Sequence, residues 1–296
     1  MNTSVPTGTI VVGVDGSAPS DRAVTWAAEQ ASLEGRALTL AHGVGLGEGT
    51  WLGADGVSGE AVFEAVRAEG QIVLDRAASA VIHGFPDVET RTVLPMTDPR
   101  LALLELAEQA AMVVVGSRGR GPVASLVLGS VSVAVTRHAT CPVVVVRPAL
   151  PGDRVRGILV GVDGTGNSAA AVEFAYRQAS ARALPLTVMH CFVDVLSTSR
   201  GPWQVPYDSP GLEEQRLILD ATVNGMGEKF PDVPVTLTLG RGLVQDCLVH
   251  ASQSMDMVVV GAHPKHTLIG LVFDPHVDSA VMEHAPCIVA VVPEGA

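Results

Sequence analysis

"IVVGVDGSAPSDRAVTWAAEQAS", from Ile10 to Ser32, returns as "ILVGVDGTGNSAAAVEFAYRQAS", from Ile158 to Ser180, at an offset of 148 residues. Each copy carries a valine-rich run, an Asp-Gly turn, and then apolar residues spaced three and four apart, the pattern of a strand, a turn and a helix. The repetition continues along the chain. "LTLAHGV" from Leu38 matches "LTVMHCFV" from Leu186 at the same offset, His42 falling on His190; "MVVVGSRG" from Met112 matches "MVVVGAHP" from Met257 at 145; "RHATCPVVVV" from Arg137 matches "EHAPCIVAVV" from Glu283 at 146. So small a drift means minor loop insertions within a tandem duplication. The seam lies in "RPALPGDRVRG", Arg147 to Gly157, where prolines, glycine and charges separate two β-like runs. Domain 1 is therefore placed at residues 1–150 and domain 2 at 151–296.

Within the first copy the predicted strands are Thr9–Val14, Ala37–His42, Val88–Leu94, Met112–Gly116 and Pro142–Arg147. Helical periodicity fills Pro19–Glu34, Gly59–His83, Pro99–Gln109 and Ala124–His138. Ser17 or Ser20 caps the first helix, with Asp21 in its first turn. Strands so rich in valine, alternating with helices, predict an α/β fold with a parallel sheet covered on both faces. Ligands of such sheets sit beyond the C-terminal strand ends, where the strand order reverses. "GVDGS" after the first strand and "GSRGRG" after the fourth face each other there if the order is 3-2-1-4-5.

The bulk composition limits what binds. The chain has 296 residues, 47% of them hydrophobic, and a net charge of −12 from 19 basic and 31 acidic residues. That charge opposes extended binding to nucleic acid or anionic membrane. Lysine occurs only at Lys229 and Lys265, so an anion site in the first copy has to use backbone N–H groups, hydroxyls or arginine. Cys141, Cys191, Cys247 and Cys287 form no CxxC pair, and the N-terminus lacks a basic segment followed by a long apolar core. A cytoplasmic protein with reduced thiols is the expectation.

The loop after the fourth strand is the candidate site. Gly116, Gly119 and Gly121 let successive N–H groups converge. Ten residues beyond Gly119, Gly129-Ser130 opens the next helix or lies just inside it, where free N–H groups favour an anion. Ser130 and Ser132 add hydroxyl donors, and Arg118 and Arg120 reach toward a terminal phosphate. A glycine-rich turn with both arginines in solvent fits the same spacing. There is neither GxxxxGK[ST] nor GxGxxG, Ala124 standing where the third glycine of the latter belongs.

"VGVDGS", "LTLAHGV", Gly116-x2-Gly119-x9-Gly129-Ser130 and the following "VSVAVTRHATCPVVVV" resemble the ATP-binding class of universal stress proteins. The resemblance spans nearly the whole chain as two copies. It implies two tandem doubly wound parallel-sheet domains of adenine nucleotide alpha-hydrolase-like fold, strand order 3-2-1-4-5. It also implies that Gly116, Gly119, Gly129, Ser130, Val131 and Ser132, next to Val115 and Arg118, hold phosphates and ribose. By the same resemblance Asp15, flanked by Gly13 and Val14, contacts the nucleoside, and Gly43 offers the base a main-chain contact. A turn or cap carboxylate is the other reading of Asp15. The implied cofactor is ATP, with or without Mg²⁺. The implied role is a nucleotide-responsive regulator of stress adaptation or growth arrest, a slow ATP hydrolase or phosphotransferase being the alternative. The implied partners are a regulatory protein and a second copy of the chain as a homodimer, and the two halves are expected to pack like a dimer.

The second copy departs from this pattern. Asp163 and Gly261 are kept, but Pro264 replaces the second glycine, and Asp274-Pro275 or Pro275-His276 replaces Gly-Ser. A proline removes a donor and a carboxylate repels phosphate, so the second copy is expected to bind ATP weakly or not at all. His263, His266, His276, Asp274 and Asp278 match no standard metal-ligand spacing and read as solvated loop residues. His42 and His190 read as buried and hydrogen-bonded, and Cys141 and Cys287 as packing residues. Trp51 and Trp203 sit in long loops, as lids or as surface anchors. No Ser/His/Asp or Cys/His arrangement is legible.

Overall fold

In the computed structural model the described residues are 5–45, 59–119, 128–148, 157–166, 168–194, 202–262 and 277–295. The chain divides into two units, Met1–Val146 and Arg147–Ala296.

The first unit alternates β1 (Thr9–Gly13), α1 (Ala18–Glu34), β2 (Leu38–Ala41), α2 (Gly59–Gly84), β3 (Thr90–Val93), α3 (Pro99–Ala107), β4 (Ala110–Gly116), α4 (Ser130–His138) and β5 (Val143–Val146). Its strands lie in the order β3-β2-β1-β4-β5 and all pairs are parallel. The central strands are apolar on both faces because helices cover both; Ile10, Val11 and Val12 are fully buried, as are Val113 and Val114. Ser17 is the N-cap of α1, accepting from the Ser20 N–H at 3.4 Å, and Gly35 ends the helix in the left-handed conformation at φ 61°. The face that α1 turns to the sheet is mostly alanine (Ala23, Ala27, Ala28, Ala31), so helix and strand backbones approach closely.

α4 starts later than its periodicity predicts. Leu128 and Gly129 are not helical, Gly129 is the extended N-cap at φ −76° and ψ 150°, and Ser130 is the first helical residue. The predicted start at Ala124 lies outside the described residues. β3 is also shorter than Val88–Leu94, because an edge strand is held from one side only.

The second unit runs β6 (Ile158–Val162), α5 (Ser168–Arg182), β7 (Leu186–Phe192), β8 (Trp203–Val205), α6 (Glu213–Val223), α7 (Met226–Lys229), β9 (Val235–Arg241), α8 (Val244–Ser252), β10 (Met257–Gly261), α9 (Val277–His284) and β11 (Ile288–Val292). Its sheet order, β8-β9-β7-β6-β10-β11, is the order of the first unit with one antiparallel strand, β8, added beyond the third. Trp203 is therefore a strand residue rather than a lid, while Trp51 lies outside the described residues. Register equates Thr90 with Val235, since each pairs with the first leucine of its neighbouring strand, Leu38 or Leu186. At that offset Ser79-Ala80 inside α2 becomes Asn224-Gly225, with Gly225 at φ 77°, and the single helix of the first unit breaks into α6 and α7.

Candidate functional site

The two strand ends meet in the first unit. After β1 the chain turns through Gly16, at φ 74°, and Asp15 folds back onto the turn. Its Oδ1 accepts from the Ser17 N–H at 2.9 Å and the Ser17 hydroxyl at 2.6 Å, and the Asp15 N–H donates to Ser20 Oγ at 3.1 Å. Asp15 is thus a turn carboxylate. A Cβ added to Gly119 would lie 2.5 Å from Asp15 Oδ2, so the carboxylate sits directly against the loop after β4.

That loop is pinned at both ends. The Ser117 N–H donates to the Val146 carbonyl at 3.0 Å and the Gly129 N–H to the Ser117 carbonyl at 2.9 Å. The Ser132 hydroxyl donates to the Gly116 carbonyl at 2.8 Å. Ser132, expected as a phosphate donor, instead commits its proton to holding Gly116 against α4. Gly116 is required on other grounds too, since a Cβ there would lie 2.8 Å from the Pro19 backbone. At the opening of α4 the cap is a glycine, and no side-chain cap bond covers the first-turn N–H groups. Ser130 and Arg118 are exposed beside it, Val131 is half-buried, and a Cβ on Gly129 would lie 3.6 Å from the Gly119 nitrogen. Asp15, Gly116, Arg118, Gly119, Gly129 and Ser130 therefore share one mouth. It has backbone donors and the positive end of a helix on one side, and a carboxylate on the other.

Other predicted residues serve packing. Val14 and Val115 are buried, so they have only main-chain atoms to offer, and the Val14 carbonyl already accepts from His42 Nδ1–H at 2.6 Å. Gly13 makes room for Leu103, whose Cδ1 would lie 3.1 Å from an added Cβ. Gly43 lies against the start of α3, where an added Cβ would be 2.5 Å from Pro99 Cα. Next to it, Asp98 caps α3, and its hydrogen bonds with Arg100 hold its carboxyl at about 2. Ser117 was not singled out in the sequence; its main-chain bonds leave no side-chain signature, and only its place directly after Gly116 marks it. Arg120 and Gly121 lie outside the described residues.

The second unit keeps the turn and changes its surroundings. Asp163 Oδ1 accepts from the Thr165 N–H and hydroxyl, each at 2.9 Å, and from the Ser168 hydroxyl. His190 Nδ1–H donates to the Val162 carbonyl at 3.0 Å, as His42 does to Val14. Beyond the end of β7 lies an open recess of about 500 Å³, whose lining includes Phe192, Asp194, Glu213 and Glu214. Arg241 stacks between Phe192 and Trp203, 5.2 and 5.5 Å from their ring centroids, with Nε 3.4 Å from Asp194. Arg216 in turn pairs with Glu213 at 2.8 Å, so two of the three carboxylates around the recess already have a guanidinium partner. Residues 263–276, with Pro264, His263, His266, Asp274, Pro275 and His276, lie outside the described residues. Among the described residues no group of three His, Cys, Asp or Glu is placed to hold a metal. No described helix is long and apolar enough to cross a membrane.

Comparison with known proteins agrees with this architecture. The universal stress protein family model matches the chain twice, over residues 6–147 and 155–293. Universal stress protein Rv2005c of Mycobacterium tuberculosis (strain ATCC 25618 / H37Rv) is 32% identical over 295 residues, covering 95% of this chain and 96% of that one. A universal stress protein of Mycolicibacterium smegmatis is 31% identical over 292 residues, covering 96% of each. Among solved structures, a universal stress protein from Archaeoglobus fulgidus DSM 4304 superposes with a TM-score of 0.70 at 15% identity, covering 98% of this chain and 97% of that one.

Proposed function

The chain belongs to the universal stress protein family, and from that premise we propose that its first unit holds one ATP and that occupancy regulates the protein in stress adaptation or growth arrest. The observation that carries this reading is the contact of Asp15 with Gly119. A carboxylate fixed by its own turn faces a glycine that no other residue can replace without displacing it. Around that contact the residues suit an adenine nucleotide. The N–H groups at the start of α4 and the loop backbone suit phosphate oxygens, Arg118 a terminal phosphate, Asp15 a ribose hydroxyl, and the main chain at Gly43 the base. Val131 takes part through its main chain, and Ser132 by holding Gly116 in place. Mg²⁺ would accompany the phosphates as their counter-ion.

In the second unit the proline at 264, which removes an N–H where the first copy has its second loop glycine, and the loss of Gly-Ser at Asp274-Pro275 support a copy that takes ATP weakly or not at all. Binding regulates only if ATP has different affinity for two states of the protein. Turnover separates this role from catalysis. Purified protein incubated with ATP is expected to retain it intact; hydrolysis or phosphotransfer at enzyme rates, roughly 1 s⁻¹ or faster, would replace the regulatory reading with a catalytic one.

A further inference from the structure

All four cysteines are buried and none is in a disulfide, yet two of them are neighbours. Cys191, in β7, stands beside Gly240 of β9 in register. A Cβ placed on Gly240 would lie 2.8 Å from Cys191 Sγ, 3.3 Å from Cys247 Sγ and 3.1 Å from Cys247 Cβ. Both sulfurs therefore converge on one point that a missing side chain leaves vacant.

The first copy has no counterpart. Cys191 follows His190 as Gly43 follows His42, and the equivalence of Thr90 with Val235 puts Pro95 at Gly240. Leu103 and Leu248 occupy matching places beneath Gly13 and Gly161, so Ala102 corresponds to Cys247. Where the first unit has Gly43, Pro95 and Ala102, the second has Cys191, Gly240 and Cys247. The second unit thus has two thiols where the first has two small residues, and a glycine where the first has a proline, at the strand end where the first unit presents Gly43. Two thiols fall short of a tetrahedral zinc set, and the described residues supply no third ligand.

We propose that Cys191 and Cys247 form a reversible disulfide, a thiol-modification site of the second unit that is oxidised by hydroperoxides. Cys247 reacts first. The neighbouring Cys191 thiol holds Cys247 below the usual thiol range, while the neighbouring Cys247 sulfur and burial hold Cys191 protonated. The Cys247 sulfur attacks the peroxide oxygen; the O–O bond breaks, the alcohol or water leaves, and a sulfenic acid forms. Cys191 then attacks that sulfur. The S–S bond forms, the S–O bond breaks, and hydroxide leaves as water with the Cys191 proton. Two electrons from the thiol pair have reduced the O–O bond, and an external dithiol returns them by exchange. Cys141, by contrast, is pushed up to about 11 by burial, so it stays a thiol at neutral pH.

Hydrogen peroxide treatment of the full chain, followed by alkylation in denaturant and peptide mapping without reductant, tests this. The thiol count is expected to fall from four to two, with one linked peptide pair joining Cys191 to Cys247 that disappears with dithiothreitol. The pair is also expected to be lost in Cys191→Ser and Cys247→Ser and kept in Cys141→Ser. A count that stays at four, a link involving Cys141 or Cys287, or oxidation stopping at a single sulfinic acid would overturn the proposal. The wild-type map decides even where a variant fails to fold.

Discussion

An alanine at Gly119 is expected to weaken ATP binding by the first unit tenfold or more, a loss of about 1.4 kcal/mol, with little change in folding stability. The added methyl would sit 2.5 Å from Asp15 Oδ2. Because that oxygen is the far end of a side chain at a solvent-facing mouth, it can swing aside, and the fold tolerates the change within about 0.5 kcal/mol, as at most surface positions. The proposed site would not tolerate it, because the displaced carboxylate would leave the place from which it would meet the nucleoside and break its bonds to Ser17. Isothermal titration of the variant against wild type reads the first effect and urea unfolding the second. Gly227→Ala is the control, since nothing lies within 4 Å of the atom it adds. Equal ATP affinity in wild type and Gly119→Ala would remove the Asp15–Gly119 contact from the site.

The largest stability effect is expected at Tyr176→Ala. Tyr176 is 2% exposed on the inner face of α5, and its ring stacks on Phe230 with centroids 5.5 Å apart at 29°. Emptying that volume costs about 3–5 kcal/mol, because the surroundings of a buried aromatic collapse only in part. The first unit carries Ala28 at the equivalent place, so the stack belongs to the second unit alone. Hydrogen exchange is therefore expected to rise across α5, α6 and β9 while amides of β1 and β4 stay protected. A loss below about 1 kcal/mol would mean that this ring does not anchor the broken helix pair against α5.

What the sequence made legible follows from how local each signal is. The duplication and the valine-rich strands rest on runs of adjacent residues, whereas the strand order was implied only by the family resemblance, and the sheet order repeats in both units. The start of α4 was misplaced because the apolar spacing from Ala124 continues through Leu128, whereas the helix is set by Gly129 adopting an extended cap. β8 was missed for a different reason. Three residues are too few for an alternation pattern, and the strand exists only through pairing with β9, more than thirty residues on.

The site shows the same division. The glycine spacing pointed to the loop after β4, and Asp15, which lies in the turn two residues beyond β1, was named through the family resemblance. What Gly13 and Gly43 are for depends on Leu103 and Pro99, which no local pattern connects to them. Ser132 looked like a donor because its hydroxyl is visible in the sequence, whereas its acceptor is a backbone carbonyl sixteen residues earlier. Cys191 and Cys247 are fifty-six residues apart, without a CxxC to announce them, and only the packing of α8 against β7 and β9 brings the sulfurs to one point.

The asymmetry of the two units is the central claim, and the amount of nucleotide bound per chain tests it most directly. Full-length protein titrated with ATP to saturation is expected to bind one molecule per chain, and that molecule is expected to be lost or sharply weakened in Gly119→Ala. Two ATP molecules per chain, or a single one whose binding ignores Gly119, would contradict a filled first unit beside a second that has given up the nucleotide.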